Sequence, residues 1–274
     1  MADTPGPLAL LGLCYDGGSS LHAGAAAAPA RIRRALAASA GNVWSERGHN
    51  VQDLLRDTGD LTIKADANPR PRIASAVHDL LDAGHRPVLL GGDHSVTHPV
   101  LRALRSHYST LTILHLDAHP DLYPQFDGDR HSHACPFARI LEEGCADRLV
   151  QVGIRAMTPE QADQVERFDV DVIDMRRWAD GARPSVRGPT YVSLDIDVLD
   201  PAFAPGVSHP EPGGLATRDV IQILHELSVP IVGADLVEYN PARDESGRTA
   251  SVCAKLLTEL AAQMMTTPAP EPSP

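Results

Sequence analysis

Six short apolar runs recur along the chain and predict strands that are buried on both faces. Each run has between four and eight residues, with little alternation of apolar and polar positions. Strands of this kind form parallel sheets whose two faces are both covered by helices. The runs span residues 8–13, 87–90, 111–116, 148–154, 191–196 and 230–236.

Between these runs, apolar residues recur at the spacing of an amphipathic helix. In residues 72–83, for example, Ile73, Val77 and Leu80 fall on one stripe, and Gly84 follows as a typical helix C-cap. This alternation of strands and helices over the whole length predicts one α/β domain with a mainly parallel sheet. The other predicted helices span residues 96–107, 137–143, 217–227 and 249–264.

The two ends of the chain differ from the rest in composition. Residues 1–7 are polar and rich in Pro and Gly, and residues 266–274 form a Pro-rich tail, so we expect both to be disordered. No linker-like break or fixed-period repeat separates them. Residues 8–265 are therefore expected to form a single domain.

Composition excludes several classes of protein. The chain has 274 residues, of which 43% are hydrophobic, enough to bury a full core. The 24 Lys and Arg residues against 36 Asp and Glu give a net charge of −12, which disfavours nucleic acid as a partner and suits divalent metals or a cationic small molecule. The four cysteines are scattered singly, and neither a secretory signal nor a membrane-spanning run is visible. We therefore expect a cytoplasmic protein that does not contact a membrane.

Histidine and carboxylate residues follow four of the predicted strands. His94 lies in the segment Gly-Gly-Asp-His-Ser (91–95), and residues 117–121 read Asp-Ala-His-Pro-Asp. Residues 195–197 read Asp-Ile-Asp, and Glu238 follows the last strand. Ligands of such sheets bind at the carboxyl ends of the strands, so these side chains are expected to share one site.

The spacing and chemistry of these residues predict a metal site. Asp117 and His119 are two positions apart, as are Asp195 and Asp197, so each pair points to one face of an extended backbone. Carboxylates mixed with imidazoles suit Mn²⁺, and six ligands are too many for one tetrahedral zinc but fit two ions about 3.5–4 Å apart. Without metal, such a cluster would repel itself.

At this point the chain resembles the ureohydrolase family, which comprises arginases, agmatinases and their relatives. Besides Gly-Gly-Asp-His-Ser and Asp-Ala-His-Pro-Asp, the family patterns present are Ser-Leu-Asp-Ile-Asp-Val-Leu-Asp-Pro (193–201), Ser-His-Ala (132–134) and Gly-Ala-Asp-Leu-Val-Glu (233–238). The resemblance covers about residues 8–264 and is closest to plant-type arginases in residues 202–209 and 238–241. It implies a three-layer α/β/α fold.

The resemblance also implies how two Mn²⁺ ions per subunit are held. One ion is expected to be bound by His94, Asp117, Asp121 and Asp195. The other is expected to be bound by His119, Asp117, Asp195 and Asp197, so that Asp117 and Asp195 bridge. Because all six ligand positions are retained, the sequence disfavours a metal-binding regulatory relative that has lost catalysis.

The same resemblance implies the reaction, which is hydrolysis of a guanidino group to urea and an amine. A hydroxide generated between the metals would attack the guanidinium carbon, with Asp121 orienting it. His133 would deliver a proton to the leaving amine, and Glu238 would bind the guanidinium. His131, two residues from His133, is an alternative proton shuttle.

The substrate is expected to be L-arginine, with agmatine or another guanidino compound such as guanidinobutyrate as the alternative. Many arginases carry Asn two residues after the position of Asp121, where this chain has Tyr123, and residues 124–130 also differ. Plant-type arginases have a similar loop, which favours arginine. Relatives form trimers or hexamers, so a homo-oligomer is expected. A metal-dependent phosphotransferase is disfavoured because no anion-binding glycine loop follows a strand.

Overall fold

The computed structural model describes residues 7–38, 41–63 and 68–267. The predicted disordered ends, residues 1–7 and 266–274, lie almost entirely outside these residues. Eight parallel strands form one sheet in the order β2-β1-β3-β8-β7-β4-β5-β6. The strands are β1 (Leu8–Cys14), β2 (Leu55–Thr62), β3 (Arg86–Leu90), β4 (Thr112–Leu116), β5 (Arg148–Ile154), β6 (Asp171–Asp174), β7 (Thr190–Asp195) and β8 (Ile231–Val237).

Helices cover both faces of this sheet. Among the described residues they are α1 (Ala28–Leu36), α2 (Val51–Leu54), α3 (Arg70–Asp82), α4 (Thr97–Arg105), α5 (Pro136–Glu142), α6 (Pro159–Arg167), α7 (Met175–Ala179), α8 (Thr217–Glu226) and α9 (Arg248–Met264). Helices α1, α2, α8 and α9 share one buried apolar cluster, whereas α3, α4 and α5 share another. In β3, Val88 and Leu90 belong to the first cluster and Leu89 to the second, as expected for a strand buried on both faces. The predicted three-layer α/β/α fold is confirmed.

The sheet register aligns the four central strands at their carboxyl ends. Leu90 of β3 pairs with Leu236 of β8, Leu236 with Leu194 of β7, and Leu194 with Leu116 of β4. These four leucines are each at most 1% exposed and form a buried row across the sheet near its carboxyl end. The residues that directly follow it therefore meet at one edge of the sheet.

The six predicted strands lie within one residue of the observed ends. Two further strands, β2 and β6, were not predicted because their sequences are not apolar runs. Strand β2 forms one edge of the sheet and most of its residues are exposed, and β6, with four residues, forms the other edge. The helices α6 and α7 beside β6 were also missed. None of the described helices is long and apolar enough to cross a bilayer.

Candidate metal centre

A tight turn after β3 carries His94 over the edge of the sheet. A Cβ atom on Gly92 would lie 1.7 Å from the carbonyl oxygen of Tyr15, so only glycine allows the two backbones to approach this closely. The next amide, of Asp93, donates to that same oxygen at 3.0 Å. The Asp93 side chain accepts from Ser95 N at 3.0 Å and from Gly18 N at 2.7 Å. It therefore holds the surrounding loops and does not face the ligand cluster.

His94 presents one ring nitrogen to three carboxylates. Its Nδ1 atom lies 3.3 Å from Asp117 Oδ2, 3.1 Å from Asp121 Oδ2 and 3.2 Å from Asp195 Oδ2, and the imidazole is 0% exposed. We call these four residues the first nest. This buried nitrogen makes no hydrogen bond with the described residues. Donor atoms about 2.2 Å from a common ion and at right angles would be about 3.1 Å apart, so these separations fit a divalent cation.

A second nest lies beside the first and shares Asp117 with it. His119 Nδ1 is 3.0 Å from Asp197 Oδ2 and 3.5 Å from Asp117 Oδ1. Asp195 accepts the amide of Asp197 at 2.8 Å through its Oδ1 atom, while its Oδ2 atom faces His94. The structure thus brings all six predicted ligands together in two adjacent groups. Asp117 lies between the groups, at the place expected of a bridging ligand.

His115 supports Asp117 from inside strand β4. Its Nε2 atom lies 2.7 Å from Asp117 Oδ2, and its Nδ1 atom lies 2.9 Å from Gln151 Nε2. Because the Gln151 amide donates to Nδ1, the His115 ring carries its proton on Nε2 and donates to the carboxylate. His94, His115 and Asp117 are close enough to hold a metal ion, but this hydrogen bond makes His115 a support for a ligand.

The carboxylates of the two nests repel one another. Burial and then the neighbouring charge of Asp197 raise the pKa of Asp195 well above its usual value. Burial and Asp117 raise the pKa of Asp197 to about 6. Burial alone would lower the pKa of His119, but the Asp197 and Asp117 carboxylates raise it to about 12. Two divalent cations would replace these protons and relieve the repulsion, so the donor set fits the implied metals.

Two of the predicted functional carboxylates have left-handed backbone conformations. Asp121 has φ 50° and Glu238 has φ 64°. Asp tolerates this region, whereas a Glu there is uncommon and stores strain. The amide of Glu238 donates to Gly92 O at 2.8 Å, which fixes the strained residue against the turn after β3. Both side chains line the cavity beside the nests.

Glu238 and His133 form a buried pair beside the nests. Glu238 Oε1 accepts from His94 N at 2.8 Å and lies 2.9 Å from His133 Nδ1. Its other oxygen, Oε2, is buried and makes no hydrogen bond with the described residues. Burial alone would lower the pKa of His133, but the Glu238 carboxylate raises it to about 9. The His133 Nε2 atom lies 2.8 Å from Ser20 Oγ.

The alternative shuttle, His131, faces a different part of the molecule. Its ring stacks on His98 with centroids 5.9 Å apart, and both line a small cavity away from the nests. His133 instead lines a cavity of about 160 Å³ that also contains His119, Asp121 and Asp197. The structure therefore favours His133 over His131 as the histidine that can reach a bound substrate.

Comparisons with known proteins agree with this geometry. The family model described as Arginase family matches residues 7–262. A mitochondrial arginase of Medicago truncatula is 46% identical over 276 residues, which cover 93% of this chain and 81% of the relative. The chain belongs to the arginase family. The family resemblance predicted from the sequence is thus confirmed, and so is the predicted class of enzyme, an amidinohydrolase.

Other members of the arginase family are named for different substrates. A solved arginase structure from Medicago truncatula has a TM-score of 0.88 and 43% identity, covering 94% of this chain and 87% of that one. A guanidinopropionase of Pseudomonas aeruginosa is 37% identical to this chain. The alignment covers 92% of this chain and 84% of the relative. The family assignment therefore leaves the guanidino substrate to be argued from the site.

Two cavity residues of this arginase-family chain were missed by sequence reasoning. Ser20 contacts His133 directly, although the two residues are 113 positions apart in the sequence. No spacing in the sequence links them. His209 lines the same cavity with its ring centroid 5.1 Å from that of His133. His209 lies in the segment 202–209 that carries the plant-type resemblance, and that segment was the only available signal for it.

Proposed function

We propose that this chain hydrolyses L-arginine to L-ornithine and urea at a site for two Mn²⁺ ions. The observation that carries the proposal is the buried Nδ1 atom of His94, which faces three carboxylates and makes no hydrogen bond with the described residues. The 46% identity to a plant arginase supports arginine as the substrate. Retention of all six ligands argues against a regulatory relative that only binds metal.

The two nests indicate which residues would hold each ion. His94, Asp117, Asp121 and Asp195 would hold one ion. His119, Asp117, Asp195 and Asp197 would hold the other. When bound, the pair would supply hydroxide near neutral pH by lowering the pKa of water. Oxygen and imidazole donors favour Mn²⁺ over metals that prefer thiolates.

Glu238 and His133 would act on the substrate itself. The free Oε2 atom of Glu238 is available to accept N–H groups of a guanidinium, whose charge matches the carboxylate. The 2.9 Å contact keeps His133 beside the same carboxylate, within reach of the nitrogen that leaves. The Asp121 carboxylate, which lines the cavity, would orient the attacking oxygen. His133 would then give its Nε2 or Nδ1 proton to the departing amine, which completes the release of urea.

The outer wall of the cavity determines what lies beyond the guanidino group. It includes Ser20, Tyr123, Phe126, Gln161 and His209, and no described lining residue is Lys or Arg. The lining carboxylates are confined to the nests and Glu238. An α-carboxylate would therefore be bound by neutral donors, and so would the amine that arginine and agmatine share. The 46% identity to a plant arginase is what favours arginine, with agmatine and guanidinobutyrate as alternatives.

A urea-release assay with a panel of substrates tests the proposal. With Mn²⁺ added, we expect kcat/KM to be highest for L-arginine and at least about tenfold lower for agmatine and guanidinobutyrate, because a lost polar contact in a site costs about 1–3 kcal/mol. Guanidinopropionate belongs in the panel because a relative is named for it. Faster turnover of agmatine would replace arginine as the substrate, and no urea from any compound would contradict the reaction.

We propose further that the chain acts in the cytoplasm as a homo-oligomer, a trimer or a hexamer. The location rests on the sequence, and the assembly rests on the family resemblance. The four cysteines are free thiols and do not pair with one another, which fits a reducing compartment. Light scattering of the purified chain would give the oligomeric state directly.

A further inference from the structure

A buried carboxylate lies behind the ligand cluster, on strand β8. Asp235 is 1% exposed and accepts hydrogen bonds from three hydroxyl groups. Thr97 Oγ1 and Tyr191 OH donate to its Oδ2 atom at 2.7 and 2.8 Å, and Ser193 Oγ donates to its Oδ1 atom at 2.7 Å. None of these groups belongs to the predicted ligand set. The reaction proposed above does not use this carboxylate.

Ser193 connects this carboxylate to His94. The Ser193 Oγ atom lies 2.9 Å from His94 Nε2. A serine hydroxyl has one proton, and here that proton is donated to Asp235, so the Oγ atom can only accept from the imidazole. The opposite arrangement would leave a buried carboxylate oxygen without this donor, which is unfavourable. His94 must therefore carry a proton on Nε2.

This constraint leaves Nδ1 as the metal-binding nitrogen of His94, and Nδ1 is the atom that faces the three carboxylates. We propose that Asp235 is a positioning residue that, through Ser193, fixes the His94 proton on Nε2 and so sets the affinity of the first nest for a divalent cation. The inference rests on the metal site proposed above. Hydrogen-bond partners of metal-binding histidines change metal affinity by about 10–100-fold.

Asp235→Asn tests the role of the carboxylate with almost no change in volume. Thr97 and Tyr191 both donate, so they retain an acceptor only if the new amide directs its oxygen towards them. Its NH₂ group then donates to Ser193, and Ser193 must donate to His94 Nε2. The imidazole proton is thereby moved to Nδ1, the side that faces the carboxylates, where it competes with a cation.

The measurement is Mn²⁺ binding to metal-free protein, followed by the EPR signal of the free ion. We expect Asp235→Asn and Ser193→Ala each to weaken Mn²⁺ binding at one of the two sites, the first nest, by about 10–100-fold. In the double variant the two losses should not multiply, because both substitutions break the same relay. Tyr191→Phe is the matched control: it removes one donor to Asp235 but leaves the Ser193 link, so Mn²⁺ affinity should stay within about threefold of the parent.

The outcomes separate this inference from the metal site on which it rests. If the parent chain binds no Mn²⁺, the proposed site itself fails. If the parent binds and Asp235→Asn binds equally well, or the two losses multiply, the relay is wrong. Thermal unfolding of each metal-free variant checks that it folds. Should Asp235→Asn not fold, Ser193→Ala alone decides, because parental Mn²⁺ affinity in that variant would overturn the relay.

Discussion

Replacing Asp121 by alanine is expected to lower urea release by about 10³-fold or more while the chain still folds. Asp121 Oδ2 lies 3.1 Å from the buried Nδ1 atom of His94, so its loss removes one donor from the first nest. The same carboxylate lines the cavity and is the group that we propose orients the attacking oxygen. Loss of a metal ligand and of an orienting group in one substitution accounts for the size of the effect. The measurement is kcat for arginine with saturating Mn²⁺.

Asp121→Asn is the matched control for folding. Asp121 has φ 50°, a backbone conformation that Asn adopts more readily than Ala. The Asn variant should therefore be more stable than the Ala variant by up to about 1 kcal/mol, and both should lose turnover to a similar extent. Thermal or urea unfolding compares the stabilities. Normal turnover in either variant would contradict the role given to Asp121.

Replacing Glu238 by glutamine is expected to lower kcat/KM by about 10²–10³-fold without loss of metal. Removing one charge of a buried, hydrogen-bonded ion pair costs about 2–5 kcal/mol, and the guanidinium of the substrate would lose that partner. Glu238 is not among the predicted ligands, so Mn²⁺ affinity should stay within a few-fold of the parent. Gln keeps the size of the side chain and can still accept from His94 N.

The two variants give opposite results for metal binding. Asp121→Ala should weaken Mn²⁺ binding together with turnover, whereas Glu238→Gln should affect turnover alone. Steady-state kinetics and the EPR titration distinguish them on the same samples. A Glu238→Gln enzyme with more than about a third of parental kcat/KM would exclude guanidinium binding by this carboxylate.

The ligand cluster could be predicted from the sequence because its geometry is set by the sheet. His94, Asp117 and Glu238 each follow a central strand within a few residues, and Asp195 is the last residue of another. The in-register leucines bring those strand ends together. Each strand is a plain apolar run, so its position is readable from the chain alone. The order of the strands in the sheet cannot be predicted from short segments of sequence. Prediction of the ligand cluster did not require that order.

The parts that could not be predicted depend on contacts between distant loops. Ser20 and His209 reach His133 from two irregular segments that carry no periodic pattern. Asn240 ties these segments together, since its side-chain amide donates to His22 O at 3.2 Å and to Ser208 Oγ at 3.0 Å. The choice between His131 and His133 likewise required the loop conformation. The polar edge strands β2 and β6 were missed because half-exposed or short strands lack a core signal.

The presence of two metal ions is tested most directly by diffraction from crystals grown with Mn²⁺, using the anomalous signal at the manganese edge. We expect two separate peaks, one beside His94 Nδ1 and one beside His119 Nδ1, with Asp117 and Asp195 in contact with both. A single peak would reduce the site to one ion. No peak, with these six side chains turned away from one another, would contradict the account.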